Sequence, residues 1–428
     1  MLGREEVVTV EKALELIFKN FSPPLPPEVK IKIEDFYQRI LSRDICSPED
    51  LPQFARSTVD GFAVDSSDTF GAAEGLPSYL NVTGEILMGE EPSFEIKKGT
   101  TAKIATGGML PRGADAVVMI EHVQQVVATR NRADKKSLRL ETEMIEVMKP
   151  AAPGENVIQA GEDVRKGDLI LKRGHRLRPQ DAGALAGIGI TEIFVYEKPV
   201  VSIISTGDEI VPADSRLKPG QVRDINSFNL AGLIAEAGGN PAKQGIFSDE
   251  YAVIRNIVEK SLGDSSMVLI SGGSSVGTKD MTAKIINDIG KPGTLFHGVS
   301  IKPGKPMIGG IVNNKPIFGL PGHPAAITVC FEQFIGPVLT KLTGLSENKF
   351  KGRKSAVTAK MAKNVASSSG REDHIRVALE ERGSEIWANP ILGKSGLITT
   401  LVKADGIVVI PLRKLGIEQG EVVEVRLF

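Results

Sequence analysis

The run VVSIISTGDEI, residues 200–210, decides the fold. VVSIIST reads as a strand, and SFNLAGLIAEAG, a short way downstream, reads as a helix. The same pair recurs three times: AKQGIF then DEYAVIRNIVEKSL, MVLIS then KDMTAKIINDIG, and KPIFGL then PAAITVCFEQFIGPVLTKL. Strand alternating with helix from Lys198 to about Gly344 predicts a doubly wound, mostly parallel α/β sheet covered by helices on both faces.

The pattern changes on either side of this region. Upstream, apolar residues at helical spacing predict a helix over 10–20, stopped by the prolines of SPPLPP, and a second helix over 34–42. From Pro48 to about Gly167, short apolar runs such as YLNVTGEILMG, TAKIATGG and AVVMIEHV alternate with Gly and Pro turns, as in a β-rich insertion. HRLRPQDAGALAGIGI, residues 175–190, then resumes helix. The expected organisation is a discontinuous helical N-terminal domain (1–47 with 168–198), an inserted β-rich domain (48–167), the α/β domain (199–345) and a small C-terminal β-barrel domain (346–428). The last rests on the alternating strands IRVALEE, GIVVIPL and EVVEVRL.

Composition bounds the function. The 428 residues exceed what one core usually supports. With 52 Lys and Arg against 53 Asp and Glu, and 5% aromatic residues, the chain lacks the basic stripe and stacking platforms of a nucleic-acid surface. The N-terminus has acidic residues where a signal peptide needs basic ones, and no apolar run reaches the expected spanning length, which predicts a cytoplasmic protein with no membrane partner. The two cysteines, Cys46 and Cys330, form no metal-binding or redox pair, in keeping with a reducing compartment.

Three glycine-bearing turns each follow a predicted strand: Ser205-Thr206-Gly207-Asp208-Glu209, the stretch from Ser271, Gly272, Gly273 and Ser274 through Ser275 to Gly277, and Leu320-Pro321-Gly322-His323-Pro324. In a parallel sheet such turns leave at the carboxyl ends of the strands, where these folds bind ligands. Glycine admits an anion close to the backbone, and the N-terminus of the next helix favours negative charge. Lys302 and Lys305, stiffened by the prolines of IKPGKP, add a second contact for a phosphate or oxyanion. Glu209, Asp249 and Asp280 follow strands of the same sheet. Asp249 and Asp280 read first as helix N-caps or first-turn acids. Carboxylates gathered beside an anion would repel it by about 4 kcal/mol per pair at 4 Å and an effective dielectric near 20. A divalent cation removes that conflict, so Mg²⁺ held by Glu209, Asp249 and Asp280 is expected at a phosphate ester or anhydride.

RSTVDGFAV, IATGGMLPRGADAVV, GEDV, STGDEI, SGGSSVGTKDMT, IKPGKP and LPGHP, in this order and along essentially the whole chain, resemble the molybdopterin molybdenumtransferase family, bacterial MoeA and the gephyrin E domain. The resemblance implies insertion of molybdate into adenylylated molybdopterin, with Mg²⁺-dependent release of AMP. It implies Asp60, Thr106, Glu209, Asp249 and Asp280 as catalytic residues and Asp163 as a substrate contact. It also implies a cradle of Ser205, Thr206, Gly207, Ser271, Gly272, Gly273, Ser275, Pro321, Gly322, His323 and Pro324, with Lys302, Lys305 and Arg371 on phosphate or molybdate, and Ser395 or Thr400 facing the cleft. It further implies a homodimer whose subunits share each active site, so that Asp60 and Thr106 act in trans, and a molybdopterin adenylyltransferase and recipient molybdoenzymes as partners. The chain departs from the family at His323, where Asn is usual, at Ala326, near which a Ser is usual, and at Gln159-Ala160, where an Arg often stands. The competing readings are an adenylyltransferase, which residues 199–345 alone would resemble, a scaffold of the gephyrin type, and a tungstate-preferring paralogue.

Overall fold

The computed structural model describes residues 7–129, 141–272, 276–346 and 355–428. Gly273, Ser274 and Ser275 lie outside them. The chain divides into two compact units, one formed by Met1–Arg43, Arg173–Arg178 and Glu192–Phe428, the other by Asp44–Lys172 and Pro179–Thr191.

The first unit opens with helix α1 (Val10–Asn20), whose N-terminus is capped by the Thr9 hydroxyl accepting from the Lys12 N–H at 3.2 Å. Val10, Ala13 and Ile17 form its buried stripe. The helix expected over 34–42 is absent. A single 3-10 turn, Ile33–Asp35, ends there, Gln38 takes a positive φ of 57° that no helix tolerates, and Ile40 and Leu41 bridge as extended chain to Arg176 and Val195. Pairing and full burial of Leu41 outweigh local helix propensity.

The α/β region comprises β1 (Val200–Thr206), α2 (Asn226–Glu236), β2 (Asn240–Phe247), α3 (Tyr251–Asp264), β3 (Met267–Gly272), α4 (Val276–Ile289), β4 (Pro292–His297), β5 (Ile308–Val312), β6 (Lys315–Leu320) and α5 (Pro324–Cys330). The sheet order is β2-β1-β3-β6-β5-β4, with β2, β1, β3 and β6 parallel, and β5 antiparallel to both of its neighbours. Successive β1 side chains serve opposite faces. Ile203 joins the core containing Leu230 and Ile234 of α2, and Ile204 joins the core containing Ile254 and Val258 of α3. Each such buried aliphatic side chain contributes about 1.5–3 kcal/mol.

Helix α5 runs on through a π-helical turn, Phe331–Ile335, into α6 (Gly336–Leu342). Contrary to the expectation of no such run, the continuous stretch Pro324–Leu342 is long and apolar enough to cross a membrane by length and composition. It is 67% buried inside the protein, its apolar side chains filling the core beside the sheet.

The C-terminal strands close a barrel in the order Glu372–Arg382, Glu385–Pro390, Ala356–Met361, Val422–Leu427, Gly406–Ile410, the last pairing back onto the first. The short strand Ile301–Lys302 adds in parallel to Glu372 and Asp373, tying the barrel to the α/β region.

The second unit holds a six-stranded sheet in the order Ala116–Met119, Gly61–Val64, Thr100–Ile104, Ser78–Ile86, Glu141–Val147, Val123–Thr129. Its helix, Pro179–Gly187, is shorter than the 175–190 expected. Proline suits a first helical position, and the preceding Leu177 is extended in the other unit, its N–H donating to the Arg39 carbonyl at 2.9 Å.

Candidate functional site

The strand register brings the loops together. Thr206 lies beside Phe247 on one side and Gly272 on the other, and Ser271 lies beside Leu320, so the carboxyl ends of β1, β2, β3 and β6 all lie at one edge of the sheet. Because β4 runs parallel to β6, the Lys302–Lys305 turn that follows it leaves at that edge too. Two glycines are dictated by geometry. Gly272 has φ +130° and a β-carbon there would meet the Thr206 carbonyl oxygen at 1.9 Å, while Gly304 has φ +123° and would press on Ile301 and the Cys330 sulfur. Burial pushes the Cys330 thiol far up, so it serves as packing.

Asp249 follows β2 and its main-chain N–H donates to Asp208 Oδ1 at 3.3 Å. Burial pushes its carboxyl above the usual carboxylate range, with the Asp208 and Glu209 charges adding to the rise and the Thr206 hydroxyl, hydrogen-bonded to it, opposing it. Its Oδ1 is buried without a partner. The N-cap reading of Asp249 and Asp280 fails. Glu250 occupies the N-cap position of α3, Asp280 is the fifth residue of α4, and neither helix has an acid in its first turn. Asp280 is exposed.

Two residues missed by sequence reasoning hold this edge. Buried Asp224 accepts from the Ser205 hydroxyl at 2.8 Å and from the Ser227 N–H at 3.0 Å, which engages the Ser205 side chain internally. Asn226 donates to the Gly322 carbonyl at 2.9 Å, linking the start of α2 to the turn after β6. The spacing of Asp224 and Ser227, a helix-start pattern, was the available signal.

A cavity of about 740 Å³ opens between the α/β region and the barrel, lined by Lys302, Lys305, Pro321, His323, Arg371 and Ser395 among others. Arg371 Nε donates to Asp373 Oδ1 at 2.8 Å, and Lys302 Nζ stands 3.8 Å from the other oxygen of this buried carboxylate. Arg376 also lines the cavity; it donates to the Gly393 carbonyl at 3.0 Å, and burial lowers its pKa. Lys394 adds a further cation. With Asp373 as the lining carboxylate, positive charge predominates and an anion is the complementary ligand. Thr400 does not contribute: its hydroxyl donates to the Leu397 carbonyl at 2.6 Å within a short helical turn.

In the second unit, Asp60 Oδ1 accepts from both the N–H and the hydroxyl of Thr106, at 2.7 and 2.9 Å. These two bonds hold the exposed carboxyl below its usual range. The ladder beneath them is fixed by Ser57, whose N–H and carbonyl pair with Gly108 and Gly107, and by Gly61, where a β-carbon would meet the Val118 carbonyl oxygen at 2.0 Å. Asp163 is exposed on the GED turn, its N–H bonded to the Leu51 carbonyl at 3.1 Å.

A hard cation fits the acidic end of this edge on one observation, the buried, unpartnered and desolvated Asp249 oxygen facing two further acids. Among the described residues, no three His, Cys, Asp or Glu side chains form a ready-made ligand group. Such a cation would therefore take its remaining ligands from water and from the bound anion, as Mg²⁺ commonly does.

A doubly wound sheet whose loops converge at its carboxyl edge, beside a cationic cavity, defines a protein that binds an anionic ligand at that edge. Residues 8–189 match the MoeA N-terminal region (domain I and II), residues 202–341 the "Probable molybdopterin binding domain", and residues 358–428 the MoeA C-terminal region (domain IV). The chain is similar to a molybdopterin biosynthesis MoeA protein from Pyrococcus horikoshii, whose crystal structure superposes with a TM-score of 0.80 at 39% identity over 99% of both chains. It is also similar to the molybdopterin molybdenumtransferases of Haemophilus influenzae (30% identity over 99% of each chain) and Bacillus subtilis (31% over 93% of this chain and 89% of that one). The chain belongs to the MoeA family.

Proposed function

We propose that this protein is a molybdopterin molybdenumtransferase, the activity named for its full-length relatives, acting on molybdopterin and molybdate. The observation that carries the reading is the meeting of the carboxyl ends of β1, β2, β3, β4 and β6 at one edge, with desolvated Asp249 at the β2 end and the cationic cavity at the β4 and β6 end.

In this reading Lys302, Lys305 and Arg371 bind the tetrahedral oxyanion, and Ser395 donates to it. Thr206, Gly207, Ser271, Gly272 and the turn Pro321–Pro324 border the pterin and its phosphate, with Ser205 held back by Asp224; Gly273 and Ser275 lie outside the described residues. Asp249, with Glu209 and Asp280, faces Mg²⁺. When bound, that ion offsets charge on the phosphate anhydride and favours its cleavage. Molybdate consumes adenylylated molybdopterin at this edge, AMP leaves, and molybdenum cofactor is formed. Asp60, with one oxygen held by Thr106 and ionised to low pH, and Asp163 complete the site from the β-rich unit of a second subunit. The reading takes the active protein to be a cytoplasmic homodimer of four-domain subunits (1–47 with 168–198, 48–167, 199–345, 346–428). The pterin arrives from the adenylyltransferase and the product leaves to recipient molybdoenzymes.

The test mixes purified protein with adenylylated molybdopterin, Mg²⁺ and molybdate and follows AMP. Release that depends on molybdate supports the assignment, and molybdate-independent release or none overturns it. Mixed dimers carrying Asp60→Ala in one subunit and Glu209→Ala in the other should recover activity at one of two sites; uniformly inactive mixed dimers would refute action in trans.

A further inference from the structure

The cavity contains one contact whose direction is chemically adjustable. His323 Nδ1 lies 2.8 Å from Ser395 Oγ, and the Ala325 N–H donates to the Ser395 carbonyl at 3.2 Å, so the first turn of α5 holds this serine by both backbone and side chain. A hydroxyl has one proton. If Nδ1 accepts it, Ser395 has no proton left to donate into the cavity. If Nδ1 donates instead, the Ser395 proton is released toward a bound anion.

We propose that His323 is a positioning residue that sets the direction of the Ser395 hydroxyl, making Ser395 a donor to a tetrahedral oxyanion when the imidazole is protonated. The proposal rests on the oxyanion reading of the cavity. Protonated imidazole donates from both ring nitrogens, which forces the productive orientation; neutral imidazole with its proton on Nε2 forces the opposite one. A side-chain amide in place of the imidazole could donate to Ser395 at every pH. His323 therefore makes conditional what an amide supplies continuously.

Other charges face the same space. Lys302 and Lys305 come from the turn after β4, and Lys394 from the loop that carries Ser395. The barrel contributes Arg371, just before the strand Glu372–Arg382, and Asp373, His374 and Arg376 on that strand. His374 is buried and titratable, so a pH effect alone would not identify its source. Substitution at both ends of the His323–Ser395 contact does.

The experiment is calorimetric titration of the full-length protein with sulfate, a tetrahedral dianion, from about pH 6 to about pH 8, repeated with molybdate at the upper end. Wild-type affinity should rise roughly tenfold toward low pH, the worth of one hydrogen bond to a charged group. H323N should bind with little pH dependence, since its amide donates throughout. S395A should bind more weakly and also lose the pH dependence, although it keeps the His323 charge. Full pH dependence in S395A would show that His323 acts by charge attraction and would overturn the proposal, as would an H323N profile parallel to that of the wild type. Failure of wild-type protein to bind sulfate at any pH and molybdate at the upper end would instead overturn the cavity reading, and the proposal with it.

Discussion

Asp249→Asn should stabilise the free protein while removing its response to Mg²⁺. The wild-type carboxyl is partly buried, has an unpartnered oxygen and faces Asp208 and Glu209, so its charge is opposed by desolvation and by two like charges. The amide is the same size, keeps an oxygen to accept from the Thr206 hydroxyl, and carries no charge. Two unit charges at 4 Å repel by about 4 kcal/mol at an effective dielectric near 20. Partial exposure screens this, leaving a gain on the order of 1 kcal/mol, or roughly 2 to 4 °C in Tm for a domain of about 200 residues. The sign follows from linkage. A carboxyl whose folded pKa is raised binds its proton more tightly when folded, so its destabilising effect is absent below the unfolded pKa and grows as pH rises through the interval up to the folded one. The gain from Asn should therefore be present at neutral pH and vanish toward pH 4. Thermal unfolding across this range, with and without Mg²⁺, measures both effects; a ligand that binds only the folded state raises Tm. A variant less stable than wild type at neutral pH, or one that Mg²⁺ stabilises equally, would refute the reasoning.

Other substitutions probe the neighbouring pieces. Gly272→Ala puts a methyl group against the Thr206 carbonyl at the join of β1 and β3, in a backbone region costly for L residues, and should lower stability by at least about 2 kcal/mol in denaturant titration. Thr106→Val removes the hydroxyl bond to Asp60 but keeps the main-chain one, so the Asp60 carboxyl should titrate closer to the ordinary aspartate range, as followed by NMR. Arg371→Ala leaves the buried Asp373 charge without its closest partner and should cost about 2 kcal/mol or more as well as sulfate affinity. Adding Asp373→Asn should restore the stability but not the affinity.

The strand and helix alternation after Lys198 was readable because each run is buried in a way its own composition states: VVSIIST has apolar residues for both faces of a sheet, and the fold uses both. The residues at the carboxyl edge were readable for the same reason, since a strand followed by glycine and then a helix specifies where the turn emerges. What was not readable depended on partners distant in sequence. Leu41 is extended because Val195 pairs with it, which no local pattern between Glu34 and Ser42 records. Asp60 and Thr106 offered turn signals alone until the sheet put Thr106 within hydrogen-bonding distance. Asp224 and Asp373, buried carboxylates that fix Ser205 and Arg371, look in sequence like any surface acid. The capping roles expected for Asp249 and Asp280 failed by only a few residues of helix boundary: Asp249 falls just before the N-cap of α3, and Asp280 lies one turn inside α4.

Diffraction from crystals soaked in molybdate, recorded at the molybdenum absorption edge, tests the central claim most directly. An anomalous peak in the cavity among Lys302, Lys305 and Arg371, within reach of the Ser395 hydroxyl, is the predicted result. A peak at a different face of the molecule, reproduced in crystals that also hold the pterin, would contradict it.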